Sequence, residues 1–117
     1  IDYASQNKVD APSGSVAELA HRLSGIQQSN ITVPVKDTIG SKETRGADIE
    51  GVQVHAVRLP GHVLGIEAIF GMPDEKLILR HDAGNSAEPY VKGAILAIEK
   101  VSTFKGLKRG LDAVMDF

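Results

Sequence analysis

Apolar residues near the start of the chain recur at the spacing of an amphipathic helix. The four positions on this stripe are Val16, Leu19, Ala20 and Leu23. They predict a helix over about 16–24, which Gly25 would end as the C′ residue. Ser15 and Glu18 have the spacing of a capping box, so we expect the Ser15 side chain to cap this helix.

Stretches rich in β-branched residues predict strands on both sides of that helix. Residues 1–4 have the composition of a strand interior. Three further strands are predicted later in the chain, at Val52–Leu59, Val63–Phe70 and Lys76–His81. Turn signals at Pro60-Gly61 and at Gly71–Asp74 separate the three. Because the connections are this short, we expect the three strands to form an antiparallel meander.

The segment between the first helix and these strands has no sustained period. Within residues 26–50, the stretch Ile31–Val35 predicts a short edge strand, and residues 42–46 are predicted as loop. A connection of this length inside a compact domain usually serves function or assembly.

A second amphipathic helix is predicted over about 89–103. Its apolar positions are Tyr90, Val91, Ala94, Ile95, Ile98 and Val101. Pro89 suits the first helical turn, and Gly93 indicates close packing against a neighbouring element. Residues 107–115 form a short, partly apolar piece.

The order of these elements predicts an α+β fold. We expect a mixed or antiparallel sheet of about four strands, with the two helices packed on one of its faces. Val57 and Leu59 leave apolar side chains on the other face. We therefore expect that face to be buried in an oligomer.

Composition limits the classes of function. The chain has 117 residues, of which 42% are hydrophobic and 24% charged, as in a single globular domain. Its net charge of −2 gives no support for a nucleic-acid surface, and it has no cysteine for disulfides or thiolate metal sites. No apolar run approaches the ~20 residues of a membrane span. Since no secretory leader is present and the first residue is Ile1, we expect a cytoplasmic protein of which this chain is a fragment.

The segment from Lys8 to Ser15 carries the most specific chemistry. It places a lysine and a rigid Asp-Ala-Pro turn before a Ser-Gly-Ser run, at the predicted start of the first helix. A helix N-terminus presents unpaired N–H groups and the positive end of the helix dipole, which favour an anion. We expect Lys8, Ser13, Gly14 and Ser15 to bind a small anionic ligand there. Alternatively, the serines only cap the helix, which is worth about 1 kcal/mol, and Lys8 is a solvated surface residue.

Other polar residues have simpler expected roles. The four histidines, His21, His55, His62 and His81, lack the spacing of metal ligands, so we expect no metal site. We expect Asp10 to fix the turn through backbone N–H bonds, and Arg58 and Arg80 to form ion pairs or contacts at a sheet edge. None of the 12 glycines falls in a G-x-G-x-x-G pattern, so we expect no nucleotide site within this chain.

In the order of its motifs the whole chain resembles the C-terminal domain of dihydrodipicolinate reductase. The most specific match is Lys8-Val9-Asp10-Ala11-Pro12-Ser13-Gly14-Ser15, where that family usually has Lys-x-Asp-Ala-Pro-Ser-Gly-Thr. Weaker matches follow at Arg45-Gly46, Gly51-Val52, Val57-Arg58-Leu59-Pro60-Gly61, Phe70-Gly71, Arg80-His81 and Gly93.

The resemblance implies an oxidoreductase of lysine and diaminopimelate biosynthesis that transfers a hydride from NADPH or NADH to a cyclic dicarboxylate. It implies that residues 1–105 bind the substrate and form a homotetramer through the sheet. Residues 106–117 would return to an N-terminal nucleotide-binding domain outside this chain. Within the chain, Lys8 is implied to contact a substrate carboxylate, while Ser13, Gly14 and Ser15 hold a carboxylate at the helix start.

Two departures from the family pattern affect the proton donor. The family usually has a His-His pair before the lysine, where this chain has Ala4 and Ser5, and an arginine five residues after the strand-end histidine, where it has Ser86. Lys8, or a water held by Asn7 or Ser5, is therefore expected to supply the proton. The departures leave open a sister reductase acting on another amino-acid-derived substrate. A catalytically silent ligand-sensing or assembly domain is a third interpretation.

Overall fold

The computed structural model describes residues 1–27 and 31–115. Residues 28–30 of the predicted connection and residues 116–117 of the predicted tail therefore lie outside the described residues. The chain forms two compact units, Ile1–Gly84 and Asn85–Phe117. Its strands and α-helices are β1 Asp2–Ala4, α1 Gly14–Ile26, β2 Ala47–Ile49, β3 Val52–Val54, β4 Ala56–Arg58, β5 Leu64–Met72, β6 Glu75–Ala83 and α2 Glu88–Lys100. The functional division predicted between residues 105 and 106 stays a prediction.

Strand β1 lies inside a four-stranded mixed sheet with the order β4-β1-β5-β6. It runs parallel to β4 and antiparallel to β5, while β5 and β6 form a long antiparallel hairpin. Together with the two helices, this sheet confirms the predicted α+β class. The predicted three-strand meander is wrong, because β1 takes the place between β4 and β5.

The stretch predicted as one strand, Val52–Leu59, is divided into two strands that belong to different sheets. β3 pairs with β2 through a turn in which Glu50 and Gly51 have positive φ angles of 51° and 89°, as a two-residue type I′ hairpin turn requires. β4 begins after His55, whose carbonyl accepts a hydrogen bond from the Asp2 amide at 2.7 Å. The prediction fails because the composition favours a strand throughout, whereas the pairing partner changes at His55.

Helix α1 confirms the first predicted helix but extends beyond its predicted bounds. Its N-cap is Ser13, so Ser15 lies inside the first turn and the predicted capping box is wrong. The Glu18 carboxylate instead accepts a bond from Arg22, one turn further along, at 2.9 Å. The helix also continues past Gly25, because this residue lacks the positive φ of a C′ glycine.

The apolar stripe of α1 forms the core of the first unit. Val16 and Ala20 are buried against Val54 of β3. The partly buried residues around them are Ile49, Val52 and Ile66. Because this packing fixes the axis of α1, it also fixes the position of the first helical turn.

The connection between α1 and β2 contains two 3-10 turns in place of the predicted edge strand and loop. They span Val35–Asp37 and Lys42–Arg45. The stretch Ile31–Val35 has no strand partner in the described part of the chain. The Arg45 guanidinium instead donates to the Val33 carbonyl and to the Thr38 hydroxyl, both at 3.2 Å. A long-range side-chain contact therefore holds this segment, which a local pattern does not predict.

The second unit is built around α2, which confirms the second predicted helix. Two 3-10 turns follow it, at Val101–Thr103 and Leu111–Val114. Pro89 lies in the first turn of α2, and a Cβ atom at Gly93 would lie 3.0 Å from Leu111 Cδ2. The expected close packing at Gly93 is therefore confirmed, while the expected packing of α2 on the sheet stays a prediction. Across residues 1–27 and 31–115, no helix is both long and apolar enough to cross a membrane.

Candidate ligand-binding site

The loop between β1 and α1, together with the first turn of α1, carries the four residues that the sequence selects as ligand contacts. Its first part is a turn in which the Lys8 amide donates to the Ser5 carbonyl at 3.0 Å. The first intrahelical bond of α1 runs from the Ala17 amide to the Ser13 carbonyl at 2.9 Å. The amides of Gly14 and Ser15 precede that bond, so they belong to the donors that an α-helix leaves without an internal acceptor.

Ser13 is the buried point of this loop, at only 7% exposed. Its amide donates to Asp2 Oδ2 at 2.7 Å, and its hydroxyl donates to Asp2 Oδ1 at 2.9 Å. Both donors therefore point inward to β1, away from the open end of the helix. The structure brings Ser13 together with Asp2, and a direct contact between Ser13 and a ligand stays a prediction.

The Asp2 carboxylate is also paired with an arginine from the neighbouring strand β4. Arg58 Nη2 lies 2.7 Å from Asp2 Oδ2 and donates to the Asp10 carbonyl at the same distance. Asp2 is 2% exposed and the Arg58 side chain 16% exposed, so this is a buried pair. It confirms the ion pair expected for Arg58 and connects the strand to the middle of the loop.

The environment of Asp2 keeps its carboxylate ionised. Burial acts to raise the pKa of Asp2, but hydrogen bonds from Arg58 and from the Ser13 amide and hydroxyl outweigh it and lower that pKa below its usual value. A charge-assisted bond favours the ionised form of its acceptor. At neutral pH the base of the loop therefore contains a fixed carboxylate that is neutralised by Arg58.

Lys8 lies at the solvent-exposed side of the loop. Its ammonium is 2.8 Å from Asp10 Oδ1, with 37% of the Lys8 side chain and 54% of the Asp10 side chain exposed. The hydrogen bond from Lys8 is the main reason that the pKa of Asp10 is lowered, and the Asp10 backbone amide contributes as well. Exposed pairs of this kind are weak, so an anionic ligand can replace Asp10 at little cost.

Gly14 and Ser15 are exposed at the first turn of α1. A Cβ atom built on Gly14 meets no other atom within 4 Å, so there is open space beside this residue. Through Asp10, Arg58, Asp2 and Ser13, one chain of polar contacts connects Lys8 to the helix start. The predicted residues thus belong to one structural unit, in which Asp10, Arg58 and Asp2 connect Lys8 to Ser13.

Asp2 and Arg58 are members of this network to which the sequence analysis gave no part in ligand binding. Asp2 stands in a short strand-like segment and shares a sheet face with the buried Ala4, by the alternation of strand side chains. A charged residue at an inward position needs a buried partner. A carboxylate at an inward strand position therefore indicates that such a partner exists. Nothing in the local sequence identifies that partner as Arg58, 56 residues away.

The opposite face of β1 carries a second polar cluster. The Arg80 guanidinium lies over the Tyr3 ring at 4.6 Å, and Arg80 Nε is 2.7 Å from Asp82 Oδ2. The Glu67 carboxylate lies 3.2 Å from Arg80 Nη1. The ion pair expected for Arg80 is therefore confirmed, but the cluster shares no residue with the loop.

Two of the histidines make isolated contacts with single side chains. His21 is exposed as expected and lies 2.9 Å from a carboxylate oxygen of Glu50, while the His62 ring packs 5.2 Å from that of Tyr3. Among the residues that the structure describes, no group of three or more His, Asp or Glu side chains is arranged to hold a metal ion.

An apolar cavity of about 310 Å³ lies elsewhere in the first unit, between α1, β3 and β5. The helix residues Leu19 and Leu23 and the strand residues Ile66 and Phe70 line part of it. It contains none of the four predicted contact residues. Since an apolar cavity offers little to an anion, we locate the candidate site at the open start of α1.

Comparison with known proteins places this geometry in context. The family model described as "Dihydrodipicolinate reductase, C-terminus" matches residues 1–115. The chain is 35% identical to the 4-hydroxy-tetrahydrodipicolinate reductase of Mycobacterium sp. (strain JLS), over 99% of this chain and 47% of that protein. It is 38% identical to the enzyme of the same name from Lactococcus lactis subsp. lactis (strain IL1403), over 99% of this chain and 44% of that protein.

A solved structure shows the same fold. The chain superposes on dipicolinate-bound dihydrodipicolinate reductase from Paenisporosarcina sp. TG-14 with a TM-score of 0.83 and 28% sequence identity, covering 97% of this chain and 43% of that one. The chain therefore spans less than half the length of these relatives.

Proposed function

Because the chain belongs to the dihydrodipicolinate reductase family and matches its C-terminal domain, we propose that it binds the dicarboxylate substrate of such a reductase at the start of α1. The observation that carries this proposal is the loop from Lys8 to Ser15. It holds an exposed ammonium and the open amides of a helix N-terminus in one polar network. The dipicolinate named for the Paenisporosarcina structure is a compact dicarboxylate, which is the type of ligand that such donors suit.

Each residue of the loop has a distinct proposed part. The amides of Gly14 and Ser15, with the Ser15 hydroxyl, donate to one carboxylate. Lys8 leaves Asp10 and pairs with the ligand, which places a positive charge beside the anion. Ser13 anchors the turn, since Asp2 takes both of its donors. Fixed donors of this kind orient the bound molecule without a rearrangement of the helix.

For the whole protein we propose the hydride-transfer reaction of this family, with NADPH or NADH as cofactor. The described residues do not fit a dinucleotide, because the turn between β1 and α1 is Asp-Ala-Pro-Ser-Gly-Ser and lacks the glycine pattern that admits a pyrophosphate. We therefore assign no residue of this chain to the cofactor. Binding and orienting the substrate are the parts that this chain supplies, and Lys8 is the proposed proton donor in place of the absent histidine pair.

We also propose that the sheet face bearing Tyr3 forms the contact of a homotetramer. Ile69 and Ile78 pair across β5 and β6 on that face and are 50% and 45% exposed. Sedimentation of the full-length protein tests this. Ile69→Glu is expected to lower the oligomeric state, while Ile39→Glu, at a fully exposed isoleucine, is expected to leave it unchanged. A tetramer that survives Ile69→Glu and Ile78→Glu together contradicts the proposal.

Calorimetric titration of the full-length protein with pyridine-2,6-dicarboxylate tests the proposed site. Lys8→Met is expected to weaken binding by about tenfold or more, because a hydrogen bond to a charged group is worth about 1.5–3 kcal/mol. Ser15→Ala is expected to weaken it several-fold. Lys42→Met removes an exposed lysine in a 3-10 turn and serves as the matched control. Unchanged affinity in both Lys8→Met and Ser15→Ala contradicts the proposal.

Turnover separates the proposed reaction from its rivals. Reduction of the dihydrodipicolinate substrate at ordinary efficiency by the full-length protein excludes a sister reductase, which Ala4 and Ser5 at the usual histidine positions otherwise favour. Tight binding of the dicarboxylate without any turnover would support a ligand-sensing domain.

A further inference from the structure

We infer that Arg58 and Asp2 are positioning residues for the substrate loop, by which we mean residues Lys8–Ser15. Arg58 holds the half of this loop that carries Lys8, and Asp2 holds the half that begins α1. This inference rests on the function proposed above. It gives β1 and β4 a part in substrate binding through Asp2 and Arg58, although neither of these two side chains lies at the exposed end of the site.

Arg58 connects the loop to two strands. Its Nη2 donates to the Asp2 carboxylate and to the Asp10 carbonyl, both at 2.7 Å, and its Nη1 donates to the Asp2 and Val57 carbonyls at 3.2 and 3.1 Å. The Asp10 carbonyl lies two residues after Lys8 in the same loop. A guanidinium that β4 keeps in place therefore holds the backbone that carries Lys8, whether the ammonium contacts Asp10 or a ligand.

Asp2 fixes the direction in which the helix start faces. Because its two oxygens accept the amide and the hydroxyl of Ser13, Ser13 turns inward. The two residues that follow, Gly14 and Ser15, are exposed. With Asp2 at 2% exposed, its carboxylate is an internal acceptor and does not compete with a ligand at the open amides.

The bonding of Arg58 favours a positioning role over a purely structural one. Its Nε–H is buried without an acceptor among the described residues, and an unsatisfied buried donor costs stability. A buried ion pair contributes little net stability compared with apolar packing, and it can instead serve specificity. What Arg58 supplies is a planar fork with fixed directions. Its bonds lead to the Asp10 carbonyl and to the Asp2 carboxylate, which in turn holds Ser13.

The test compares Arg58→Lys with Arg22→Lys in the full-length protein. Arg22 also pairs with a carboxylate, that of Glu18 at 2.9 Å, but on α1 away from the loop. We expect Arg58→Lys to weaken the affinity for pyridine-2,6-dicarboxylate by tenfold or more and to raise KM with a smaller change in kcat. Arg22→Lys is expected to leave the affinity within twofold of the wild-type value. Urea unfolding of each variant confirms that it is folded under the assay conditions.

A double-mutant cycle with Lys8→Met distinguishes positioning from general destabilisation. If Arg58 acts by placing Lys8, Arg58→Lys should cost much less affinity in the Lys8→Met background than in the wild type. Equal losses in both backgrounds overturn the inference. If Arg58→Lys does not fold, Ser13→Ala replaces it: this change removes one bond to Asp2 and is expected to weaken binding several-fold, and unchanged affinity overturns the inference.

These outcomes also separate the inference from the proposed function. If Lys8→Met weakens binding while Arg58→Lys and Ser13→Ala do not, the site stands and only the positioning role fails. If Lys8→Met and Ser15→Ala leave binding unchanged, the proposed site fails, and the positioning role fails with it.

Discussion

Two neighbouring residues of β1, Asp2 and Tyr3, point to opposite faces of the sheet, and each meets an arginine. On one face Arg58 lies 2.7 Å from the Asp2 carboxylate, with side chains 16% and 2% exposed. On the other, Arg80 covers the Tyr3 ring and lies 2.7 Å from Asp82, with the side chains of this ion pair 42% and 52% exposed. The two ion pairs have the same length and differ in their access to water.

This difference decides what each pair does. The hydrogen bonds that Arg80 donates to the Asp82 carboxylate raise the pKa of Arg80 and lower the pKa of Asp82. Water and salt nevertheless screen an exposed pair, so such an attraction adds little to stability. The pair between Arg58 and Asp2 is screened much less, and loss of one partner leaves a charge in the protein interior. Contact distance alone therefore does not rank the two pairs.

The largest expected effect is that of Arg58→Met. It removes the main partner of a nearly inaccessible carboxylate, and breaking a buried pair in this way typically costs about 3–5 kcal/mol. Urea unfolding of this variant beside Arg80→Met measures the difference. A loss for Arg58→Met no greater than that for Arg80→Met would show that burial does not separate the pairs.

The second effect is a pH dependence that belongs to Asp2. Because the folded state lowers the pKa of Asp2, its ionisation stabilises the protein above the unfolded-state pKa of about 4. That contribution disappears as the pH falls through the lower pKa of the folded state. Unfolding free energies measured from about pH 6 down to about pH 2 should therefore fall more steeply for the wild type than for Asp2→Asn. Parallel curves would contradict the assignment.

A third effect tests how closely Tyr3 and Asp82, two members of the exposed polar cluster, approach the backbone at Gly65. A Cβ atom at Gly65 would lie 2.7 Å from Asp82 Oδ1 and 3.2 Å from Tyr3 Cβ, whereas one at Gly71 in the same strand meets nothing within 4 Å. Gly65→Ala is expected to destabilise the protein by about 1–3 kcal/mol through overpacking. Gly71→Ala is the matched control. Equal unfolding midpoints for the two variants would refute the close approach.

The smallest expected effect is that of Arg80→Met itself. Its unfolding midpoint should lie near that of the wild type, and the remaining difference should shrink in about 1 M salt, where exposed charges are screened within a few ångströms. The deficit of Arg58→Met should persist in the same salt. If salt removes both deficits alike, the Asp2 pair is more hydrated than its 2% exposure indicates.

The sequence predicts the elements of this fold better than their partners. The period of α1 and the composition of β5 and β6 are local, so both were predicted with the correct type. By contrast, the break at His55 arises because the amide of Asp2, far away in the sequence, donates to the His55 carbonyl. No pattern within Val52–Leu59 contains that information.

The candidate site shows the same limit. The motif from Lys8 to Ser15 identifies a loop before a helix, and the expected anion donors follow from the physics of a helix N-terminus. The assignment of Ser15 as N-cap failed because Ser13 holds that position, with its hydroxyl bonded to Asp2. The anchoring of the loop thus depends on β1 and β4, whose contribution becomes visible only once the chain is folded.

The most direct test of the proposed site is a crystal structure of the full-length protein with pyridine-2,6-dicarboxylate. We expect one carboxylate within about 3 Å of the Gly14 and Ser15 amides, with the Lys8 ammonium moved from Asp10 to the ligand. A dicarboxylate bound elsewhere, with Lys8 still paired to Asp10 and the amides of α1 facing water, would contradict the account.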